Sequence, residues 1–164
     1  MRTLFFMALV LGPIFSNAQS CEFVGGKFQL QGAKVKESKW RKVLKTSTLE
    51  NYTIKMAKLG DKKLLAMNIA VVPKFTVYNE NKLAVKLANG KKVGLGAITE
   101  FKSSRASNGR QRAKVYYVIS PENYTLLSNV KIKSIRVDMG PRYTDITVKP
   151  ADQDQIMKQF RCLK

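Results

Sequence analysis

Basic side chains are the most prominent reactive groups of this chain, and one segment concentrates them. Residues 102–114, KSSRASNGRQRAK, contain no acid and five basic residues, which are Lys102, Arg105, Arg110, Arg112 and Lys114. Arginine suits bidentate binding of phosphate or carboxylate, so this segment is the first candidate for an anion-binding site. Its serine, asparagine and glycine content predicts a mobile loop between strands. The alternative interpretation is a solvated hairpin tip with no ligand.

Acid–base catalysis has few candidate residues here. Histidine is absent, which excludes Ser-His-Asp and Cys-His catalysis and any metal site that uses histidine. Asp152 and Asp154 point in different directions on a predicted helix. Asp138 and Asp145 flank a predicted turn, where they could approach each other. Because glycine-rich phosphate-binding motifs and GxSxG are also absent, we expect a protein that is not an enzyme and uses no cofactor or metal. A small carboxylate-dependent hydrolase is the least favoured alternative.

The overall charge indicates a class of partner. Lys and Arg total 30 against 11 Asp and Glu, giving a net charge of +19 at pH 7. Such an excess attracts anionic polysaccharide, lipopolysaccharide, a membrane surface or nucleic acid, although no specific nucleic-acid motif is present. Lysine outnumbers arginine, which favours diffuse attraction over a shaped anion site. A well-solvated surface that serves solubility is the alternative.

Residues 1–20 have the pattern of a secretory signal peptide. Arg2 precedes the apolar run LFFMALVLGPIF, which is too short to span a bilayer, and small residues follow it. We expect cleavage after Ala18, since Ser16 and Ala18 fit the small-x-small rule, and Ser20 is the alternative site. Cleavage would remove Arg2 and no acid, so the net charge would fall by one to +18. The expected location is therefore secreted or periplasmic.

The two cysteines predict one disulfide. Cys21 would stand at the start of the exported chain and Cys162 stands near its end. Exported proteins meet oxidising compartments, and the number of cysteines is even. Closing so long a loop would stabilise the fold by roughly 5 kcal/mol in the chain-entropy model. The alternative is a lipoprotein acylated on Cys21, but the sequence AQSC matches the usual leucine-led lipobox poorly.

Residues 82–98, KLAVKLANGKKVGLGAI, predict a β-hairpin that turns at Asn89-Gly90. A two-residue loop would put an apolar and a charged residue on the same face at every rung. A three-residue loop puts four apolar residues on one face, with Val85 opposite Val93 and Leu83 opposite Leu95. Burial should select this second register, with Gly90 in the left-handed conformation.

Apolar patterns predict the other elements. The predicted strands are Tyr52–Ala57, Lys63–Val72, Phe75–Tyr78, Val115–Ile119, Lys131–Met139 and Tyr143–Val148. The near-continuous apolar run at 63–72 is typical of a central strand. A short helix should begin with Ser120 as its N-cap and Pro121 at its first position. The closing helix should span 151–163, with one apolar stripe formed by Ile156, Phe160 and Leu163.

The region around Trp40 allows more than one interpretation. In residues 34–39, apolar and polar side chains do not alternate regularly, so the segment does not predict a strand. Trp40, Val43 and Leu44 have helical spacing, which could indicate a short helix. Trp40 lies among basic residues and could stack with a ligand in a basic groove, or it could belong to the core.

The C-terminal half resembles small exported proteins of Bacteroidetes-type bacteria. The strings YYVISPENYTLLSNVKIKSIRVDMG and ITVKPADQDQIMKQFRCL are similar to theirs in the order of a strand, a short SPE-type helix, an IRV strand and a final helix. The leader, which ends in NAQ, is also similar. The resemblance covers about half of the chain. It implies an envelope location and a β-rich domain, and it carries over no functional residues.

The sequence therefore predicts an α+β fold for residues 21–164. One domain should contain a mostly antiparallel sheet, curled or as a sandwich, with two short helices and the last helix packed on the sheet. The favoured function is non-catalytic binding of an anionic surface or polymer through a lysine-rich face of an exported protein. The main alternative is a protein–protein interaction module, an inhibitor or assembly factor, whose charge serves solubility.

Overall fold

The computed structural model describes residues 21–30 and 32–164, so the predicted signal peptide lies outside the described residues. Within these ranges the fold is α+β, as predicted, with antiparallel strands and two helices. The strands are β1 (Phe23–Leu30), β2 (Ala33–Ser38), β3 (Lys42–Lys45), β4 (Asn51–Leu59), β5 (Lys62–Val71), β6 (Thr76–Val77), β7 (Lys82–Leu87), β8 (Lys92–Gly96), β9 (Phe101–Lys102), β10 (Ser104–Arg105), β11 (Gln111–Ile119), β12 (Ile132–Asp138) and β13 (Tyr143–Thr147). The helices are α1 (Pro121–Asn129) and α2 (Pro150–Arg161).

The large sheet has the strand order β1-β2-β4-β5-β11-β10, and β3 also pairs with β4. The prediction of a central strand from the apolar run at 63–72 is confirmed, because β5 pairs along its whole length with β4 on one side and β11 on the other. Both faces of these three strands carry buried side chains. We call the face that carries Ile54 and Met67 the inner face, and the face that carries Ala57 and Leu64 the outer face.

The smaller sheet has the order β13-β12-β7-β8 and contains the predicted hairpin. Its register is the one expected from a three-residue loop, with Val85 opposite Val93 and Leu83 opposite Leu95, and all four side chains are buried. Gly90 has φ +86°, the left-handed conformation that the turn requires. The burial of one complete face therefore decides the register, as expected.

The main core joins the inner face of the large sheet to the smaller sheet and the helices. Helix α1 begins as predicted, since the Ser120 side chain accepts a hydrogen bond from the backbone N–H of Asn123 at 3.2 Å. Helix α2 packs against β12 and buries its predicted stripe of Ile156, Phe160 and Leu163 completely. Each side chain of this kind contributes about 1.5–3 kcal/mol through burial.

A second, smaller apolar cluster lies on the outer face. Ala57, Leu64 and Tyr116 belong to its buried part. Phe28 of β1 stacks on Tyr116 with ring centroids 4.7 Å apart. Strand β1 therefore covers one end of the outer face, which explains why the central strands are apolar on both sides.

The prediction of a short helix at Trp40–Leu44 is wrong. Residues 42–45 form β3, which pairs with β4. Strand β2 pairs with the other end of β4, and the Ser38 hydroxyl bridges the gap by accepting from the backbone N–H of Met56 at 3.1 Å. The available edge of β4 outweighs a helical spacing that spans only one turn. Trp40 lies in the gap and packs, partly buried, against the main core.

The segment 102–114 is also more ordered than the predicted mobile loop. Strand β10 and the start of β11 form a hairpin whose turn covers only residues 106–110. Arg112 and Lys114 therefore lie within a strand of the large sheet. Serine, asparagine and glycine content suggested a loop because such a composition has low strand propensity, but pairing of β11 with β5 overrides this preference.

The predicted disulfide between Cys21 and Cys162 is present, with the two Cα atoms 5.2 Å apart. It ties Cys21, two residues before β1, to Cys162, which directly follows α2. The bond is consistent with an oxidising extracellular or periplasmic compartment. Among the described residues, neither helix is long and apolar enough to cross a membrane.

Candidate anion-binding surfaces

The five basic residues of segment 102–114 do not converge on one site. Lys102 forms an exposed ion pair with Glu100 at 3.3 Å. Arg110 donates a hydrogen bond to the backbone carbonyl of Thr48 at 2.8 Å. Since side chains alternate along a strand, the pairing of Ser104 with Arg112 places Arg105 on the side opposite Arg112.

Arg112 and Lys114 are the two that share a surface. They lie two residues apart on β11, so both project from the outer face. Their environments differ, because Lys114 is engaged by a carboxylate and Arg112 is exposed without an ion pair among the described residues. The segment therefore supplies one available guanidinium to this face, rather than a cluster of five cations.

Lys114 belongs to an ion-pair cluster centred on the buried Glu37. The Glu37 side chain is 6% exposed, and its carboxylate lies 2.8 Å from the Lys114 ammonium and 3.4 Å from that of Lys55. The Tyr116 hydroxyl donates a further hydrogen bond to the same carboxylate. Glu37 is on β2 and Tyr116 is on β11, so these contacts reach across β4 and β5, where the small Ala66 is opposite Tyr116.

The protonation states in this Glu37 cluster are set by the contacts. Burial alone would raise the pKa of Glu37, but hydrogen bonds from Lys114 and Tyr116 and the charges of both lysines outweigh it and hold that pKa below its ordinary value of 4.5. Burial and the adjacent carboxylate raise the pKa of Tyr116, which stays protonated and donates. A carboxyl group with a lowered pKa is a poor proton donor at neutral pH, so the cluster is suited to stabilising the sheet.

Strand β1 closes the Glu37 cluster from one side. A Cβ atom at Gly26 would lie 2.9 Å from the carbonyl oxygen of Val35, and 3.6 Å from a carboxylate oxygen of Glu37. Only glycine permits so close an approach of the two backbones. The register shift between Gly25 and Gln29 occurs at this point and marks a local irregularity of the kind that bulges produce.

A polar depression continues along the outer face beyond the Glu37 cluster. One row of opposite residues crosses four strands and contains Asn51, Ala70, Arg112 and Ser104. The next row contains Thr53, Asn68 and Lys114. The depression between them is open to solvent, has a volume of about 490 Å³ and is lined by these side chains. We call it the polar depression.

The inner face carries a different basic feature at the opposite ends of the same strands. Lys36 of β2 is opposite Lys58 of β4, and Lys58 is opposite Lys63 of β5. Opposite residues share a face and adjacent strands are about 4.8 Å apart, so this lysine row extends over about 10 Å. Within the described part of the chain, none of the three forms an ion pair with an Asp or Glu side chain.

Two members of the lysine row are held by aromatic rings. The Lys58 ammonium lies 4.9 Å from the ring centroid of Phe23 and donates to the backbone oxygen of Lys164 at 2.8 Å. The Lys63 ammonium lies 4.2 Å from the ring centroid of Tyr124. Cation–π contacts of this kind position an ammonium without neutralising it. Lys36 is exposed and Lys58 and Lys63 are half-buried, so all three residues of the row keep at least partial access to solvent.

Sequence reasoning missed most of this row. The turn at Gly60-Asp61 between two predicted strands could have placed Lys58 opposite Lys63, because a two-residue hairpin loop fixes that register. Lys36 could not have been added, since it lies on a strand that the sequence did not predict. The Glu37 cluster was missed for the same reason.

The acidic residues considered for catalysis are engaged separately. Asp152 pairs with Lys42 of β3, and Asp154 pairs with Lys131 at 3.0 Å. Asp145 forms a bidentate ion pair with Arg136, which lowers the pKa of Asp145. In the described ranges no three acidic or cysteine side chains are grouped so that they could hold a metal ion.

Similarity to known proteins adds no assignment to these surfaces. No family model matches the chain, and no curated protein or solved structure is significantly similar to it. A function is therefore inferred from three features of the surface, which are the lysine row, the Glu37 cluster and the polar depression.

Proposed function

We propose that this chain is an exported, non-catalytic protein that binds an anionic polymer or surface through the lysine row. The observation that carries the proposal is the placement of Lys36, Lys58 and Lys63 opposite one another on three adjacent strands, with no Asp or Glu side chain of the described residues paired to them. Like charges directly opposite each other destabilise a sheet by a few tenths of a kcal/mol per pair. A row of anionic groups would remove this repulsion on binding.

The surroundings of the lysine row favour an extended anion over a small one. The row lies across the strands over about 10 Å, so it can contact several successive charges of a polymer. The Lys58 and Lys63 ammonium groups are already positioned by Phe23 and Tyr124. Less side-chain freedom is therefore lost on binding than for unrestrained lysines.

Export supports an anionic partner outside the cytoplasm. The pattern of residues 1–20 predicts a signal peptide, and the disulfide is consistent with an oxidising compartment. The resemblance to exported Bacteroidetes-type proteins points to the envelope as well. Anionic polysaccharide, lipopolysaccharide and phospholipid headgroups all occur at such a location and would be attracted by the net positive charge.

The test compares two triple variants by titration with dextran sulfate. Lys36→Gln, Lys58→Gln and Lys63→Gln together remove the row. The matched control replaces three exposed lysines outside β2, β4 and β5 by glutamine, namely Lys74, Lys91 and Lys133. We expect the row variant to bind at least about tenfold more weakly, and the slope of log K against log salt to become smaller by about two. The control should lose much less, because its charges are dispersed.

Two outcomes would reject the proposal. Equal losses in both triple variants would mean that diffuse charge, rather than the row, attracts the polymer. Salt-independent binding, or no binding at low salt, would favour the protein–protein interaction module, in which the charge serves solubility.

A further inference from the structure

The polar depression on the outer face has the composition of a ligand site that is separate from the lysine row. It lies on the opposite side of the large sheet and at the other ends of β4 and β5. We propose that it binds one charged unit of an acidic oligosaccharide, with Arg112 contacting the carboxylate or sulfate and the neighbouring amide and hydroxyl groups contacting the sugar hydroxyls. This inference goes beyond the proposed role of the lysine row and does not depend on it.

The charge of the polar depression comes from two cations with different availability. Arg112 is exposed and forms no ion pair among the described residues. Lys114 is held 2.8 Å from Glu37 and serves mainly that carboxylate. One free guanidinium can form two parallel hydrogen bonds to a single carboxylate or sulfate, so the site fits one negative charge rather than a dense polyanion.

The neutral groups match the hydroxyls of a sugar. Asn51 and Asn68 each offer both hydrogen-bond donors and an acceptor, and Thr53 and Ser104 offer hydroxyls that can do either. Asn51 is opposite Ala70, Thr53 is opposite Asn68 and Ser104 is opposite Arg112, and all of these residues line the depression. Sugar hydroxyls also donate and accept, and the set can therefore pair with them without leaving a group unsatisfied.

None of the described residues that line the depression is aromatic, which argues against a nucleotide. Tyr116, the nearest aromatic residue along β11, is completely buried beneath Phe28, so its face is not available for stacking with a base. The depression is open, which lets the units on both sides of the bound sugar continue into solvent. An open depression with one charge-binding group is suited to one unit of an oligosaccharide whose other units extend beyond it.

The experiment uses a hexamer of galacturonic acid and monitors the side-chain amide NMR signals of Asn51 and Asn68, with affinity measured by calorimetry. The main variant is Arg112→Gln. Its matched control is Arg105→Gln, which removes the same charge from an exposed position on the other side of the sheet. A second variant, Asn68→Asp, keeps the size of the side chain and adds a repelling carboxylate.

We expect the hexamer to shift both amide signals and a neutral glucose hexamer to shift them far less. Arg112→Gln and Asn68→Asp should each lower the affinity at least about tenfold, while Arg105→Gln should lower it less than about twofold. Equal losses for the two arginine variants would overturn the proposal, because the attraction would then be nonspecific. Stronger shifts of the same amides by phosphatidylcholine vesicles containing phosphatidylglycerol would also overturn it, since the ligand would then be a lipid headgroup.

Failure of this proposal and failure of the lysine-row proposal can be told apart. The triple lysine-row variant retains Arg112 and should still show the amide shifts with the galacturonate hexamer. Conversely, Arg112→Gln should retain most of its binding to dextran sulfate. A loss of the amide shifts in the row variant would contradict the separation of the two sites.

Discussion

Lys36 and Glu37 are neighbours on β2, yet the Lys36 side chain is exposed on the inner face and the Glu37 side chain is buried on the outer face. On the outer face, Glu37 is buried and two lysines contact it. On the inner face, Lys36 belongs to a row of three lysines that no Asp or Glu side chain of the described residues pairs with. The same strands therefore carry one compensated and one uncompensated group of charges.

Solvent access explains why both arrangements are tolerated. A buried charge is costly unless it is paired and hydrogen-bonded, and the Glu37 carboxylate accordingly has three partners. The lysine row lies where water screens repulsion, so its cost is only a few tenths of a kcal/mol per pair. The Glu37 cluster therefore contributes to stability, whereas the lysine row costs stability, which agrees with the binding role proposed for it.

The largest expected effect comes from the element that both groups share. Strand β1 supplies Phe23 to the lysine row and Gly26 to the Glu37 cluster, and Cys21 precedes it. Replacing Cys21 and Cys162 by serine should lower the free energy of unfolding by about 3–5 kcal/mol, measured by urea denaturation. Amide hydrogen exchange should show β1 opening first. Unchanged protection of β1 would mean that its pairing with β2 is sufficient to hold both groups together.

The sequence predicted the structure correctly where the local pattern and the tertiary packing favour the same arrangement. Burial of a complete face fixed the β7–β8 register, and a serine followed by a proline fixed the start of α1. The stripe of α2 and the disulfide were found for similar reasons. In each case local pattern and tertiary packing favour the same structure.

Prediction failed where tertiary contacts decide against local preference. Strand β2 carries Lys34, Lys36 and a buried Glu37, a composition with low strand propensity, and it is held by pairing and by the ion pairs with distant residues. The candidate site was only partly predicted for the same reason. Arg112 and Lys114 were identified as candidates, but their separation into an available and a neutralised cation depends on Glu37, which is 77 residues from Lys114 in sequence.

Substitution of Glu37 removes the carboxylate that pairs with two lysines on the outer face. Glu37→Gln keeps the size of the side chain but leaves Lys114 and Lys55 without a negative charge, so the free energy of unfolding should fall by about 2–3 kcal/mol at pH 7. Because Lys55 and Lys114 keep partial access to water, the expected loss is smaller than for a fully buried ion pair. The control is Glu100→Gln, which removes an exposed ion pair with Lys102 and should cost less than about 0.5 kcal/mol.

The pH dependence of the same variant tests the cause. The pKa of Glu37 is lowered by folding, so its stabilisation is complete above the unfolded pKa, near 4.5, and is lost as the pH falls through the folded value. The difference between the wild type and Glu37→Gln should therefore be constant near neutral pH and shrink below about pH 4.5. A difference that stays constant in acid would indicate lost packing rather than lost charge pairing.

The smallest effect on stability is expected from placing a carboxylate in the lysine row of the inner face. Lys36→Glu places a carboxylate opposite Lys58, converting a repulsive pair into an attractive one, and should raise the free energy of unfolding by about 0.5 kcal/mol. The gain should diminish in high salt, and binding of dextran sulfate should weaken at the same time. Lys34→Glu is the matched control, because it makes the same change of charge opposite Gln29 instead of a lysine. An equal gain from Lys34→Glu would show that the lower net charge stabilises the fold and that the opposition of lysines across the strands has no special cost.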